Sequence, residues 1–261
     1  MNVVLSSFYV FFQSQYLFNN DVKMFKYAIL KQTIVGGDIM NFHVIQSIKD
    51  EYYDKAITFY NQQLDVNFYE DSYIIERSLK NNKTENDYAF LVGIQDDEII
   101  SLATAHYEAT TNSAFLIHLI ANDTPDYEDV LINTLQEIEH QLNQLSNKVH
   151  SRDINFVMVE VPKTNHPLKD INQQALSQRQ QLLLSNGFER QSEIEYIHPN
   201  YSKIDSPFKV DLFIKSNIEI TKDIYSASVK SNYILKYVFA NGISRDIIYP
   251  LLVKMNLRLP H

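Results

Sequence analysis

Cysteine is absent from this 261-residue chain and glycine occurs only five times. Without cysteine there is no disulfide framework, no thiolate nucleophile and no thiolate-held zinc or iron–sulfur centre. No metal is expected either, because the spacing of the His and Glu residues does not assemble three ligands. The glycines, Gly36, Gly37, Gly93, Gly187 and Gly242, are too few and too scattered for a Walker loop or a Gly-x-Gly-x-x-Gly turn. Basic residues are outnumbered, 23 Lys and Arg against 32 Asp and Glu, a net charge of −9. Such a surface repels phosphate backbones, so nucleic acid is not an expected partner.

A long apolar run is missing as well. Residues 2–12 are apolar, but Gln13, Ser14, Gln15, Asn19 and Asn20 interrupt them short of the ~20 residues of a membrane span. No Lys or Arg precedes the stretch and no small-residue cleavage site follows, so neither membrane nor secretion is expected and the location expected is cytoplasmic. Gly36-Gly37-Asp38 ahead of Met40 can be encoded as a ribosome-binding sequence. Translation is therefore expected to begin at Met40, with residues 1–39 an N-terminal extension.

With 45% hydrophobic residues the chain can build a core. From Met40 its periodicity alternates between two kinds. Weak alternation over 41–47 predicts a strand, and Asp50 is placed to cap a helix carrying Tyr53, Ala56, Ile57, Tyr60 and Leu64 at spacings of three and four. A second helix is predicted over about 70–81. Three strands follow at 87–94, 99–108 and 114–121, separated by short polar turns, which is the pattern of an antiparallel meander. The third is almost continuously apolar and is expected to be buried on both faces. Leu131, Leu135, Ile138, Leu142, Leu145 and Val149 then mark one stripe of a long helix from about 126 to 149. A strand at 155–161, a helix over 172–185 stopped by Asn186-Gly187, and a final strand pair at 191–198 and 208–215 complete the series. Two helical segments, about 222–239 and 244–256, close the chain, with Ser244 placed to cap the second.

The order β-α-α-β-β-β-α-β-α-β-β resembles the GNAT superfamily of acyl-CoA-dependent N-acetyltransferases. Besides that order, the resemblance rests on the apolar strand 114–121 running into a long helix, on Pro125-Asp126-Tyr127 at the junction, and on Leu184-Ser185-Asn186-Gly187-Phe188 closing the later helix. It covers about 175 of the 261 residues. It implies an α+β fold: a mixed, mostly antiparallel seven-stranded sheet flanked by helices over 40–216, with a C-terminal helical extension over 217–261. It also implies transfer of an acetyl group from acetyl-CoA, as co-substrate, to a small amine, amino acid or peptide by direct attack. In the family the cofactor's arm lies on exposed strand backbone, here Leu119, Ile120 and Ala121. Its pyrophosphate meets the helix start, here Tyr127, Glu128, Asp129, Val130 and Leu131. Asn172 resembles the family's asparagine at the start of the later helix. The degenerate junction departs from the family pattern: both of its glycines are absent, and Glu128 and Asp129 bring carboxylates to the place of phosphates. Leu183 stands where the family has a tyrosine. A GNAT-like module without catalysis, serving binding or regulation, is the alternative.

Two residues carry the expected chemistry. Glu160 sits in an apolar strand as either a general base with a raised pKa or a carboxylate turned outward at the strand's end. His118, within the most apolar strand, is either a proton acceptor or a satisfied core histidine. His106 and Glu108 share a face of the neighbouring strand and can line the same groove. Tyr52, Tyr53, Phe59 and Tyr60 either wall an acceptor pocket or pack in the core. Arg179 and Lys80 either reach cofactor phosphates or stay as exposed helix charges. The apolar surface of the C-terminal helices, with Tyr225, Tyr233, Tyr237, Ile248 and Leu251, calls for cover from the domain itself or from a second copy in a homodimer.

Overall fold

The computed structural model describes residues 32–35, 38–63, 70–80, 88–163, 173–199 and 206–259. Asn172, Leu64, Thr164, Asn165, His166 and residues 1–31 lie outside them.

The meander forms as the alternation requires. Strands β1 (Gln32–Val35), β2 (Asp38–Val44), β3 (Tyr88–Gln95), β4 (Glu98–Glu108) and β5 (Ser113–Ala121) pair antiparallel in succession. Strand β6 (Phe156–Val161) adds parallel to β5, and the later strands β7 (Glu189–Gln191) and β10 (Asp211–Ser216) complete an eight-stranded sheet in the order β1-β2-β3-β4-β5-β6-β10-β7. The seven-stranded expectation thus gains one edge strand, β1, which gives β2 a hydrogen-bonding partner and lets it start at Asp38. The predicted strand 191–198 does not form as a unit. The chain leaves the sheet after Gln191, so that Ile194 and Tyr196 enter the core and β8 (Ile197–His198) pairs only with β9 (Phe208–Lys209).

Helices cover both faces. On one, α3 (Tyr127–His150) and α4 (Gln173–Ser185) press Leu131, Leu135, Ile138, Leu142, Leu176 and Leu183 onto the sheet. Of the stripe predicted for α3, Leu131, Leu135, Ile138 and Leu142 are buried, Leu145 is partly buried and Val149 is exposed. Gly187 ends α4 at φ +84°, where a left-handed residue lets Phe188 N–H reach the Leu183 carbonyl at 3.0 Å. On the other face lie α1 (Tyr53–Gln62) and α2 (Ser72–Leu79), the latter capped by Asp71. Asp50 bonds Tyr52 N–H rather than capping α1, and also holds His43 at 2.9 Å.

The C-terminal segment packs on that second face, beside α1 and α2. It comprises α5 (Lys222–Tyr233), a π-helical segment (Ile234–Ala240) and α6 (Arg245–Lys254), with Ser244 capping α6 as expected. Tyr225, Val229, Tyr233, Tyr237, Ile248, Leu251 and Leu252 are buried with Phe115, Phe156, Met158, Leu212 and Ile214 of the sheet. The domain's own sheet therefore covers the face that had suggested a second copy. Ile224, Phe239 and Ile247 are the large apolar side chains of this segment that stay exposed.

Gly93 marks a tight crossing of β3 and β4. A Cβ there would lie 2.3 Å from Ser101 Oγ and 3.2 Å from Met40 Sδ. We expect Gly93→Ala to cost about 1–3 kcal/mol in urea unfolding through overpacking, and Ser101→Gly in the same chain to recover part of that loss.

Candidate functional site

The sheet opens beside β5. Parallel pairing with β6 runs from Ser113 opposite Phe156 to Leu116 opposite Val159 and stops there. Beyond it β5 continues to Ala121 paired only with β4, while β6 stays with β10 through Glu160 and Val161. The strands therefore fork after Leu116, so that Leu119, Ile120 and Ala121 lie on the parted stretch. The cause is local. The β4–β5 register shifts between Leu116, opposite Ala105, and His118, opposite Thr104, leaving Ile117 as an extra residue. Such a bulge bends its strand and adds twist. It also resets which face each side chain takes, so Leu119 and Ala121 join the core under α3 while His118 and Ile120 face α1.

The open edge of β5, five residues and roughly 17 Å long at strand rise, points toward α3. The N-cap of that helix, Asp126, makes no side-chain cap. Of the proposed cofactor donors, Tyr127 N–H goes to the Thr124 carbonyl at 3.0 Å and Val130 N–H to Asp126 at 2.9 Å. Leu131 N–H is directed at the Tyr127 carbonyl by helical geometry, so the amides left at the helix start are those of Glu128 and Asp129. Their own carboxylates favour the positive end of the helix dipole and compete with any anion there.

Two cations enter the fork from opposite faces. Arg179, projecting from α4, is buried rather than exposed, and its Nη1 donates to the Leu119 carbonyl at 2.7 Å. A guanidinium thus stands where a ligand amide would donate to the strand edge. From the other face comes Lys236, on the π-helical segment and 2% exposed, whose Nζ lies 2.8 Å from Glu160 Oε2. The same ammonium sits 4.7 Å from the Phe115 ring centroid and 4.9 Å from that of Tyr237. The wider π turn, with Asn241 N–H bonded to the Lys236 carbonyl five residues back, brings consecutive side chains closer on one face. Tyr237 hydroxyl accordingly bonds the other oxygen of Glu160, and His198 Nε2 is 3.8 Å from Oε2.

Glu160 is therefore buried and does not turn outward. Burial by itself would raise its pKa. The charges of Lys236 and His198, with the hydrogen bonds from Lys236 and Tyr237, outweigh that and hold it below the usual carboxylate value. It is the first residue of β6 past the fork.

His118 is the satisfied core residue of the two readings. Its Nδ1 meets Thr104 Oγ1 at 2.7 Å and its Nε2 meets Tyr60 hydroxyl at 3.2 Å. Tyr60 already donates to the Glu70 carbonyl at 2.7 Å, so Nε2 carries the hydrogen and Nδ1 accepts from Thr104. Burial, then the charges of Lys236, Arg179 and His106, push its pKa down to about 3. Such an imidazole is a poor proton acceptor for an amine.

The other candidates disperse. Tyr60 and Phe59 are core, whereas Tyr52 and Tyr53 are partly buried against it. His106 is buried beside the Tyr88 ring, and Glu108 accepts from Thr110 and Thr111 at the β4–β5 turn, away from the fork. Lys80 pairs with Glu76 on the surface of α2. A concavity of about 390 Å³ beyond β10, lined in part by Lys163, Arg190 and Asp211, shares Tyr196 with the surroundings of Glu160. Lys236 is the site residue that sequence reasoning missed. Its signal was present: one charge inside the run Tyr233–Ala240, matching one opposite charge inside the apolar strand 155–161.

The titrations make this testable. Glu160, with a folded pKa below its unfolded value of about 4.3, contributes stability above that value, lost as pH falls through the folded one. His118 has a folded value near 3 against about 6.5 unfolded. The unfolded chain therefore takes up the proton first. Stability is complete above about pH 6.5 and falls toward pH 3 by up to about 1.4 kcal/mol per unit. His118→Gln should flatten the pH 6 to 4 part of that slope, measured by urea unfolding across pH. Lys236→Met, which leaves Glu160 buried without its cation, should cost about 3–5 kcal/mol, and Glu160→Gln added to it should recover much of the loss.

Neither a family model nor a curated protein matches this chain. Solved structures do. The ribosomal-protein-S18-alanine N-acetyltransferase of Escherichia coli is 12% identical over 70% of this chain and 97% of its own, with a TM-score of 0.45. The GNAT domain of S. lividans PAT is 13% identical over 71% and 98%, with a TM-score of 0.47. The N-acetyltransferase PseH of Campylobacter jejuni is 15% identical over 69% and 99%, with a TM-score of 0.40. At these identities and TM-scores the likeness assigns neither family nor role; the chain's own elements form an α+β fold with a mixed, mostly antiparallel sheet, as its order of elements led us to expect.

Proposed function

We propose that this chain is an N-acetyltransferase that carries an acetyl group from acetyl-CoA to a small amine, amino acid or peptide. The observation that supports the reading best is the fork after Leu116 and Val159, which leaves the β5 edge open toward the start of α3. Acetyl-CoA supplies an activated thioester. Leu119, Ile120 and Ala121 offer backbone groups to its amide-bearing arm, and the amides of Glu128 and Asp129 offer donors to its pyrophosphate. Arg179 must release the Leu119 carbonyl for this to happen, and its guanidinium is then a cation available to an anionic ligand. Glu160 is the proton acceptor for the incoming amine once that amine, arriving neutral, replaces Lys236: without the lysine's charge, burial pushes the carboxyl's pKa up, and Tyr237 orients it. His118 fixes the floor of the site without exchanging protons. The pairing of Glu160 as base with a buried lysine makes the acceptor a competitor for a site already filled by an ammonium group.

A second reading, a binding or regulatory module without catalysis, is favoured by one feature. The groove is closed by the chain's own donors and charges, with Arg179 on Leu119 and two carboxylates at the start of α3.

Ligand-dependent melting separates the two. For an acetyltransferase, acetyl-CoA and CoA raise the melting temperature, with about 2.7 kcal/mol of stabilisation at a hundredfold excess over Kd. Arg179→Ala lowers the stability of the free protein by about 1 kcal/mol yet enlarges the ligand-induced shift. Glu160→Gln keeps the shift and reduces thiol release across an amine panel by about 100-fold or more. Absence of any shift at millimolar ligand, in the parent and in Arg179→Ala, leaves the binding-module reading in possession.

A further inference from the structure

Lys236 is an unusual group to find at the closed end of the fork. It is buried on a π-helical segment, it touches the carboxylate assigned as proton acceptor, and it lies over Phe115, two residues before the bulge. A thioester lying along the β5 edge from the start of α3 would run from Ala121 toward Ile117, the end of the fork near which Phe115 and Glu160 hold this amine. The other described lysines are partly or fully exposed, and Lys236 is the lysine that pairs with Glu160. The ammonium is held by a carboxylate, two aromatic faces and a nearby imidazole, which together form a site for one primary alkylammonium.

The geometry points to Lys236 as an acyl acceptor within the chain itself: the protein acetylates its own buried lysine when no external amine has displaced it. This rests on the acetyltransferase reading above and adds to it a modification site and an acceptor class, primary alkylamines. In the step, Lys236 Nζ loses a proton to Glu160 and forms an amide bond to the acetyl carbon. The carbon–sulfur bond breaks, CoA leaves as the thiolate and takes up the second proton that the nitrogen sheds as the amide forms, and Glu160 releases the first to water. The products are acetyl-lysine and CoA thiol. Acetylation removes the positive charge that compensates Glu160, so the modified chain carries a buried carboxylate without its cation. The π-helical segment is thereby loosened from the fork.

The test uses the full-length protein with acetyl-CoA alone, read by intact mass and by peptide mapping of the modified site. The expected result is one added acetyl group, on Lys236, formed well before any on the exposed Lys254 or Lys222. Chemically unfolded chain treated alike should show no preference for Lys236. Glu160→Gln should slow the modification at least tenfold, and added primary alkylamine should suppress it in proportion to its own acetylation. The modified protein should melt at lower temperature than the unmodified one. Labelling of exposed lysines with Lys236 spared overturns the inference. If at the same time CoA raises the melting temperature and free amines are acetylated, the acetyltransferase reading survives and only self-acetylation fails. If CoA does not bind, both fail together. Lys236→Arg, which keeps the charge but is not acetylated, should retain CoA binding and gain no acetyl group.

Discussion

One extra residue in β5 governs the site. Ile117 interrupts the β4–β5 register, and the ladder to β6 ends immediately before it. A regular strand would have kept Leu116, His118 and Ile120 on one face and zipped β5 to β6 along its length. With the bulge, Leu119 turns to the α3 face and the edge of β5 on the β6 side is left without a strand partner beyond Leu116. Such an edge costs free energy unless something bonds it. Arg179 does so at the Leu119 carbonyl.

The second constraint follows from the first. Opening the sheet puts the end of β6 next to the C-terminal segment, where Glu160 is buried with a cation, a phenol and an imidazole. A buried ion pair is tolerated when its geometry satisfies both partners, and removal of either leaves the other uncompensated. The π turn supplies that geometry by presenting Lys236 and Tyr237 together. The C-terminal helices are thus part of the site as well as cover for the sheet, and the apolar surface they bury is the price of reaching it.

Much of the fold was legible. The meander strands, the α3 stripe, the Gly187 helix stop and the Ser244 cap come from local periodicity and local hydrogen bonding, so the residues that specify them lie close together in sequence. The break after Gln191 was not legible, because β7 and β8 differ only in which distant strand accepts them. Candidate residues fared according to the same division. Glu160 was visible as a charge in an apolar strand, but whether it turned outward or inward depended on Lys236, 76 residues away. His118 was visible too, and its partners Tyr60 and Thr104 on other elements decided that it sits neutral in the core.

Sequence by itself determined the alternation of strands and helices, the absence of thiol chemistry and of a glycine-rich phosphate loop, and the two isolated charges at Glu160 and Lys236. These depend on residue type and on spacing within a single element. Only the tertiary structure decided where β5 and β6 part, that Arg179 occupies the parted edge, and that the two isolated charges meet. Each of those outcomes is a contact between segments far apart along the chain, and such contacts are fixed by packing and register across the sheet rather than by the preferences of any one segment.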